Sequence, residues 1–275
     1  MSRKVFNKKN IVMYAILIFG LLIVVYPFFF MLMNSIKTGP EIVNNPTALP
    51  TSLNINGYIE IFKSLNMGNL FINSIFISAS VTFLNVILSS MTAYGLVKTK
   101  LPFKDRILDI ILASMMVPGV LLLIPSYCML YSWDWINTYR VLIIPFCLSP
   151  FNIFLMVQFL RQVDNSYLEA ARIDGANELQ IFLKVILPMS KPIIATLTIL
   201  TFMGSWNDFL NPLLYLRGES RMTVQLAVYK FQTAIPGVHA EQLWAAITIV
   251  TIPIVIVYLF MQKNFMKAFG GVGLK

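Results

Sequence analysis

Six stretches of this chain stay apolar for the thickness of a lipid bilayer: about 11–33, 71–97, 107–130, 141–160, 192–216 and 243–262. A hydrocarbon core of roughly 30 Å needs about 20 mostly apolar residues in a helix, because each backbone N–H and C=O must be satisfied within the segment. Membrane β-barrels meet the same demand with short alternating strands, and no segment here alternates in that way. The expected fold class is therefore all-α: a polytopic membrane protein with six transmembrane helices, making one transmembrane domain over residues 1–275. Only 12% of the residues are charged and 57% are hydrophobic, where a soluble domain carries about 25% charged residues. The first run follows the basic "MSRKVFNKKN". Its apolar part is longer than the roughly 7–15 residues of a signal-peptide core, and no small-x-small cleavage site follows, so it reads as a span.

Lys and Arg set the orientation. With the N-terminus in the cytoplasm, the inner segments hold fifteen basic residues: four near the start, four around 98–106, four over 161–191 and three in the tail. The outer segments hold six: Lys37, Lys63, Arg140, Arg217, Arg221 and Lys230. Both termini are expected in the cytoplasm, in a cell (inner or plasma) membrane. The net charge of +9 is then a topology signal and carries no nucleic-acid reading.

Residues 34–69 form the longest outer connection, broken by Pro40, Pro46 and Pro50, with "NGYIEIFKSL" as a short amphipathic helix within it. Span two is unusually polar, with Ser78, Ser80, Thr82, Asn85, Ser89, Ser90 and Thr92. Small and hydroxylated residues allow membrane helices to approach and hydrogen-bond, which places this span centrally in the bundle. Pro145, Pro150 and Pro253 mark candidate bends. Cys128 and Cys147 are expected as free, buried thiols that pack as small hydrophobes, and His239, in the outer loop near 217–242, as a surface residue.

Several chemistries lack their residues. The chain has no GxxxxGK[ST] phosphate loop, no HExxH, no GxSxG, no cysteine–histidine cluster and no carboxylate pair at helical spacing within a span. Catalysis by this chain alone is not expected, and it is expected to bind no cofactor or metal of its own.

Against this apolar background the polar stretch "EAARIDGANELQIFLKVILP", residues 169–188, stands out. Ser166 and Glu169 have the spacing of a capping box. A helix over 167–174 would be about 12 Å long, too short to span. Gly175 sits where a left-handed stop belongs. Asn177 and Gln180 then open a second helix that runs to Pro188. The product is a hairpin over 164–188, beneath the bundle. Ala170 and Ala171 permit close approach by another protein, and a short helix set in a partner's groove is a recurring mode of recognition. A structured surface loop is the alternative.

The same stretch resembles the EAA loop of permease subunits from binding-protein-dependent ABC importers, matching at Glu169, Ala170, Ala171, Asp174, Gly175, Ala176, Ile186, Leu187 and Pro188. "NSIFISASVTFLNVILSSMTAYGLVKTKLPFK" is similar to that family's second span, and "SWNDFLNPLLYL" to the fifth-span signature of its maltose-type carbohydrate branch. The tail resembles that branch's ending but departs at Phe269, Gly270 and Leu274. The resemblance covers about residues 10–275. It implies that the hairpin is a coupling helix seated in a separate ATPase subunit, which supplies ATP and Mg in trans. It implies three kinds of partner: a second homologous permease, two ATPase subunits and an extracytoplasmic solute-binding protein.

The resulting expectation is a permease subunit that forms half of the path for a sugar or oligosaccharide. Rivals are a permease for a polyol or glycerol phosphate, a membrane enzyme, and a channel subunit. Within span five, Trp206, Asn207 and Asp208 admit two roles. They either line the path and contact a hydroxylated solute, or hydrogen-bond to backbone freed near Pro212 and hold the outer gate.

Overall fold

The computed structural model describes residues 8–234 and 240–270. Among these residues all regular structure is helical. The chain falls into two compact units, residues 1–67 with 228–252 and residues 68–227 with 253–275.

The first unit begins with α1 (Lys8–Asn34), α2 (Gly39–Asn44) and α3 (Asn56–Ser64); α3 is the helix expected from "NGYIEIFKSL". Lys37 is fully buried just after α1. Its ammonium donates to Asn34 Oδ1 (3.2 Å) and to the carbonyls of Asn45 (3.1 Å) and Pro46 (2.9 Å). Three acceptors replace the water that a buried cation would otherwise miss, so one side chain closes the turn between α1 and α2. Gly57 packs so tightly that a Cβ there would lie 2.5 Å from the Glu241 carbonyl oxygen. The Glu241 carboxylate accepts the Gly39 N–H at 2.5 Å.

The second unit is organised by α4 (Met67–Lys98), an unbroken helix. As its composition predicts, Ser78, Thr82, Asn85, Ser89 and Ser90 are buried. After it come α5 (Lys104–Ser114), α6 (Leu123–Ser132), α7 (Arg140–Ile143), α8 (Pro150–Arg161), α9 (Ser166–Ile173) and α10 (Glu178–Ile181). A π-helical segment (Phe182–Ile186) leads into α11 (Leu187–Met189), α12 (Lys191–Trp206) and α13 (Leu210–Tyr215). The last elements, α14 (Val224–Ala234) and α15 (Ala240–Gly270), which Pro253 does not interrupt, are divided between the two units. Two apolar clusters lie along α4. Ile77 and Val81 pack with Leu130, Leu142 and Leu226. Ala93, Tyr94 and Leu96 pack with Met156, Leu160, Leu168, Ile181 and Phe182.

Four helices are long and apolar enough to span a bilayer, and two bent pairs, Lys104–Ser114 with Gly119–Ser132 and Glu178–Met189 with Lys191–Trp206, raise the count to as many as six if each pair is one span. Three expected spans are interrupted, one of them, 141–160, at 147–149 between the marked Pro145 and Pro150. The run 107–130 bends by 87° between α5 and α6. Pro118 lacks the N–H a continuous helix would need and pushes Val117 out of the helical region. The run 192–216 stops at Trp206 and restarts at Leu210. Restarting there puts Pro212 in the first turn, where its missing N–H costs nothing. Both cysteines are free, but Cys128 is exposed rather than buried and Cys147 is half-buried. Exposure on a spanning helix faces lipid or another chain, so an apolar thiol there needs no internal packing. His239 and the tail positions beyond Gly270 lie outside the described residues, as does the side chain of Phe269.

Candidate functional site

The hairpin forms with its expected turn and one unexpected cap. α9 and α10 meet at Gly175, whose φ is 82°. The Ala176 N–H donates to the Ala171 carbonyl and the Gly175 N–H to the Arg172 carbonyl, both at 3.0 Å. These are the two bonds of a Schellman stop, which requires a left-handed residue at the glycine position. Asn177 and Gln180 make the predicted capping box, with reciprocal bonds of 2.9 and 3.0 Å. The box expected at Ser166 and Glu169 does not form: Asn165 is the N-cap of α9, with no side-chain cap bond. Asp164 Oδ1 instead accepts the Ser166 N–H at 2.9 Å. That backbone hydrogen bond holds the Asp164 carboxyl below its ordinary range.

Glu169, Ala170, Asp174 and Gly175 are exposed on the hairpin, while Ala171 and Ala176 are half-buried. Ala171 and Ala176 pack against the lower apolar cluster, so their small size serves the hairpin's own seat. Apolar side chains that sequence reasoning passed over share the free surface: Tyr167, Ile173, Leu179 and Leu183. Ile173 is 86% exposed. The available signal was an isoleucine two residues before the capping glycine of a short polar helix.

A cavity of about 690 Å³ opens among α4, α8, α12 and the break before α13. At its wall, Asn152 Nδ2 donates to Asn85 Oδ1 (2.6 Å) and to Thr201 Oγ1 (2.8 Å). Asn85 Nδ2 donates to the Phe146 carbonyl at 3.0 Å. The reason is local: in a continuous helix that carbonyl would accept from residue 150, and Pro150 has no N–H. A side chain from α4 supplies the donor that the proline withholds.

Trp206, Asn207 and Asp208 all line this cavity. Trp206 is 1% exposed, with its ring against Phe202 (5.7 Å, 14°) and Phe71 (5.8 Å, 54°). It is a packed wall; the other aromatic residues lining the cavity are Phe146 and Phe151, both partly exposed. Asn207 Oδ1 accepts from Gln225 Nε2 at 3.3 Å. Asp208 accepts from the Asn211 N–H (3.1 Å) and from Asn211 Nδ2 (2.7 Å), so it holds the first turn of α13 as well as facing the cavity. The other polar lining consists of hydroxyls and amides, among them Ser74, Ser78, Ser149, Ser205 and Thr223. No lysine, arginine or histidine lines it among the described residues. No group of metal-ligating side chains occurs among them either.

A family model for binding-protein-dependent transport system inner membrane components matches residues 85–270. The chain belongs to this family. The permease is 31% identical to the diacetylchitobiose uptake system permease protein NgcG of Streptomyces coelicolor, over 91% of this chain and 84% of that one. It is 28% identical to the polygalacturonan/rhamnogalacturonan transport system permease protein YtcP of Bacillus subtilis, over 94% and 95%. Among solved structures it is similar to a chain of a bacterial ABC transporter that imports the acidic polysaccharide alginate. The TM-score there is 0.81 and the identity 26%, over 96% of this chain and 100% of that one. The permease is thus a multi-pass membrane component of an ABC import system, and both the hairpin and the cavity fall largely within the matched segment.

Proposed function

We propose that this permease forms half of the translocation path for a neutral sugar or oligosaccharide and that its hairpin docks on a separate ATPase subunit. The cavity lining carries the substrate reading. Hydroxyls and amides beside the lining residues Phe146 and Phe151 suit a solute with many hydroxyls and apolar ring faces. The charge of the lining favours a neutral solute. A phosphate or uronate approaching within about 8 Å of Asp208 would meet roughly 2 kcal/mol of repulsion per unit charge at an effective dielectric near 20. No described cation on the wall offsets it. That argues against glycerol phosphate, although some relatives are named for acidic polysaccharides.

The partners follow from what the permease exposes. Only 6% of the apolar window of α1 is buried inside the chain, which supports a second permease or lipid along it. The hairpin's exposed Tyr167, Ile173 and Leu179, with Glu169 beside them, suit a groove with apolar walls and a basic rim. ATP and Mg belong to that ATPase partner. A solute-binding protein would deliver substrate from the side opposite the hairpin, with both termini cytoplasmic.

Two measurements test this reading. Purification of the tagged permease should bring down an ATPase and a second permease, and uptake in cells expressing the complex should favour a labelled neutral disaccharide over a uronate disaccharide. Preference for the uronate sinks the neutral-solute reading. Cysteines placed at Lys230 and Lys100 test orientation: an impermeant thiol reagent should label the first in intact cells and spare the second.

A further inference from the structure

The hairpin reaches α12 by covalent connection, but that route is compliant. It passes through a π-helical segment and an 81° bend between Met189 and Lys191. A second connection is non-covalent. Tyr94, near the end of α4 and 6% exposed, donates its hydroxyl proton to Glu178 Oε2 at 2.5 Å. Glu178 Oε1 accepts from Arg172 Nε at 3.0 Å, and Arg172 Nη2 lies 3.0 Å from the same oxygen. Arg172 closes α9 and Glu178 opens α10, so one carboxylate ties both arms of the hairpin to α4. The Tyr94 ring also rests against Phe182, centroid to centroid 5.6 Å. One turn further on, Lys98 Nζ donates to the Val163 carbonyl (2.5 Å) and to Asn165 Oδ1 (2.7 Å), gripping the entry to α9.

We infer that Tyr94, Arg172 and Glu178 are positioning residues that latch the hairpin to α4, so that α4 rather than α12 first carries the ATPase's motion to the cavity. α4 has the form for that task. It is one unbroken helix without proline, and Asn85 lies nine residues before Tyr94, about 14 Å along the axis. Asn85, Ser78 and Ser74 on the same helix line the cavity. A displacement of the hairpin moves this rod and with it the Asn85–Asn152–Thr201 junction. The latch rests on the hairpin's docking to an ATPase, as proposed above.

The test uses the purified complex in proteoliposomes, in a background with Cys128→Ala and Cys147→Ala. A reporter, Ser78→Cys, is labelled by an impermeant maleimide with and without ATP–Mg. ATP should change the labelling rate in the parent. Tyr94→Phe keeps the ring against Phe182 and removes only the hydroxyl; it should cut that change at least fivefold while the complex still hydrolyses ATP. Glu178→Gln should do the same, and the double variant should lose no more than either single one. Gly175→Val, which distorts the hairpin itself, is the control. If it abolishes the change and Tyr94→Phe does not, the latch is wrong and the coupling reading stands. If neither matters, or ATP leaves the parent's rate unaltered, the coupling reading falls and the latch with it. Reduced complex yield with an intact ATP response would make Tyr94 a packing residue and overturn the proposal.

Discussion

The hairpin and the cavity are built by opposite means. Within the hairpin the turn-forming bonds join residues at most five apart: the Schellman pair at Gly175 and Ala176, the box at Asn177 and Gln180, and the Asp164 bond to Ser166. In the cavity the deciding bonds cross the unit, from Asn85 to Phe146 and from Asn152 to Asn85 and Thr201. A local element keeps its shape while it moves as a body. A site assembled from several helices changes shape whenever one of them shifts. On the proposed coupling, the hairpin would act as a rigid handle and the cavity as a deformable interior.

The sharpest way to break this contrast is at Gly175. A Cβ added there meets no atom of the chain within 4 Å, so within the chain the strain falls on the backbone. Valine in a left-handed position costs about 1–2 kcal/mol or more. Gly175→Val should leave the permease in the membrane and lower transport by tenfold or more, read as uptake per assembled complex. Normal uptake would mean that the turn geometry is incidental.

Asn85→Leu attacks the cavity's cross-links instead. It leaves the Phe146 carbonyl without its donor, at about 1–3 kcal/mol for a buried orphan. Thermal stability of the purified permease should fall by several degrees, with the hairpin's docking to its partner retained. An unchanged melting temperature would show that the junction is not holding α4 to the α8 region.

Asp208→Asn is a smaller perturbation. Asparagine can still accept the Asn211 N–H, so α13 keeps its start while the charge is lost. Relative uptake of a uronate over a neutral disaccharide should rise several-fold. A uniform fall for both sugars, with less assembled complex, would confine Asp208 to its structural role.

The smallest expected effect is a pH response near zero. The Tyr94 hydroxyl and then Arg172 hold the Glu178 carboxyl below its usual value of 4.5. The bonds made by that carboxylate are therefore fully present above that value and are lost only as pH falls through the lowered one. Transport measured at pH 6 and pH 8 should show no step that Glu178→Gln removes.

How much was legible in the sequence follows the same division. The polar central helix and the Gly175 stop are local signals, and both appear in the structure; of the six apolar runs, three are interrupted. The Ser166–Glu169 box had the right spacing and still failed, because Asp164 two residues earlier competes for the Ser166 N–H. The breaks at Pro118 and at 207–209 were hidden inside hydropathy, which does not register a missing donor. Asn85 was visible as a polar residue in a span. That it answers Pro150 required knowing which helices are neighbours.

An α-helix is a screw, and the π-helical segment Phe182–Ile186 is a place where its thread has slipped by one residue. Everything on the hairpin side is thereby out of phase with everything on the α12 side. Deleting a single residue from the segment would let the thread close, and the hairpin would swing by about 100° around the axis. Glu178 would leave Tyr94, and Ile173 would face a different direction. The rotational setting of the hairpin is thus written as one surplus residue, and under the proposed docking a chain that gains or loses it would need a different latch and a differently placed groove on the partner.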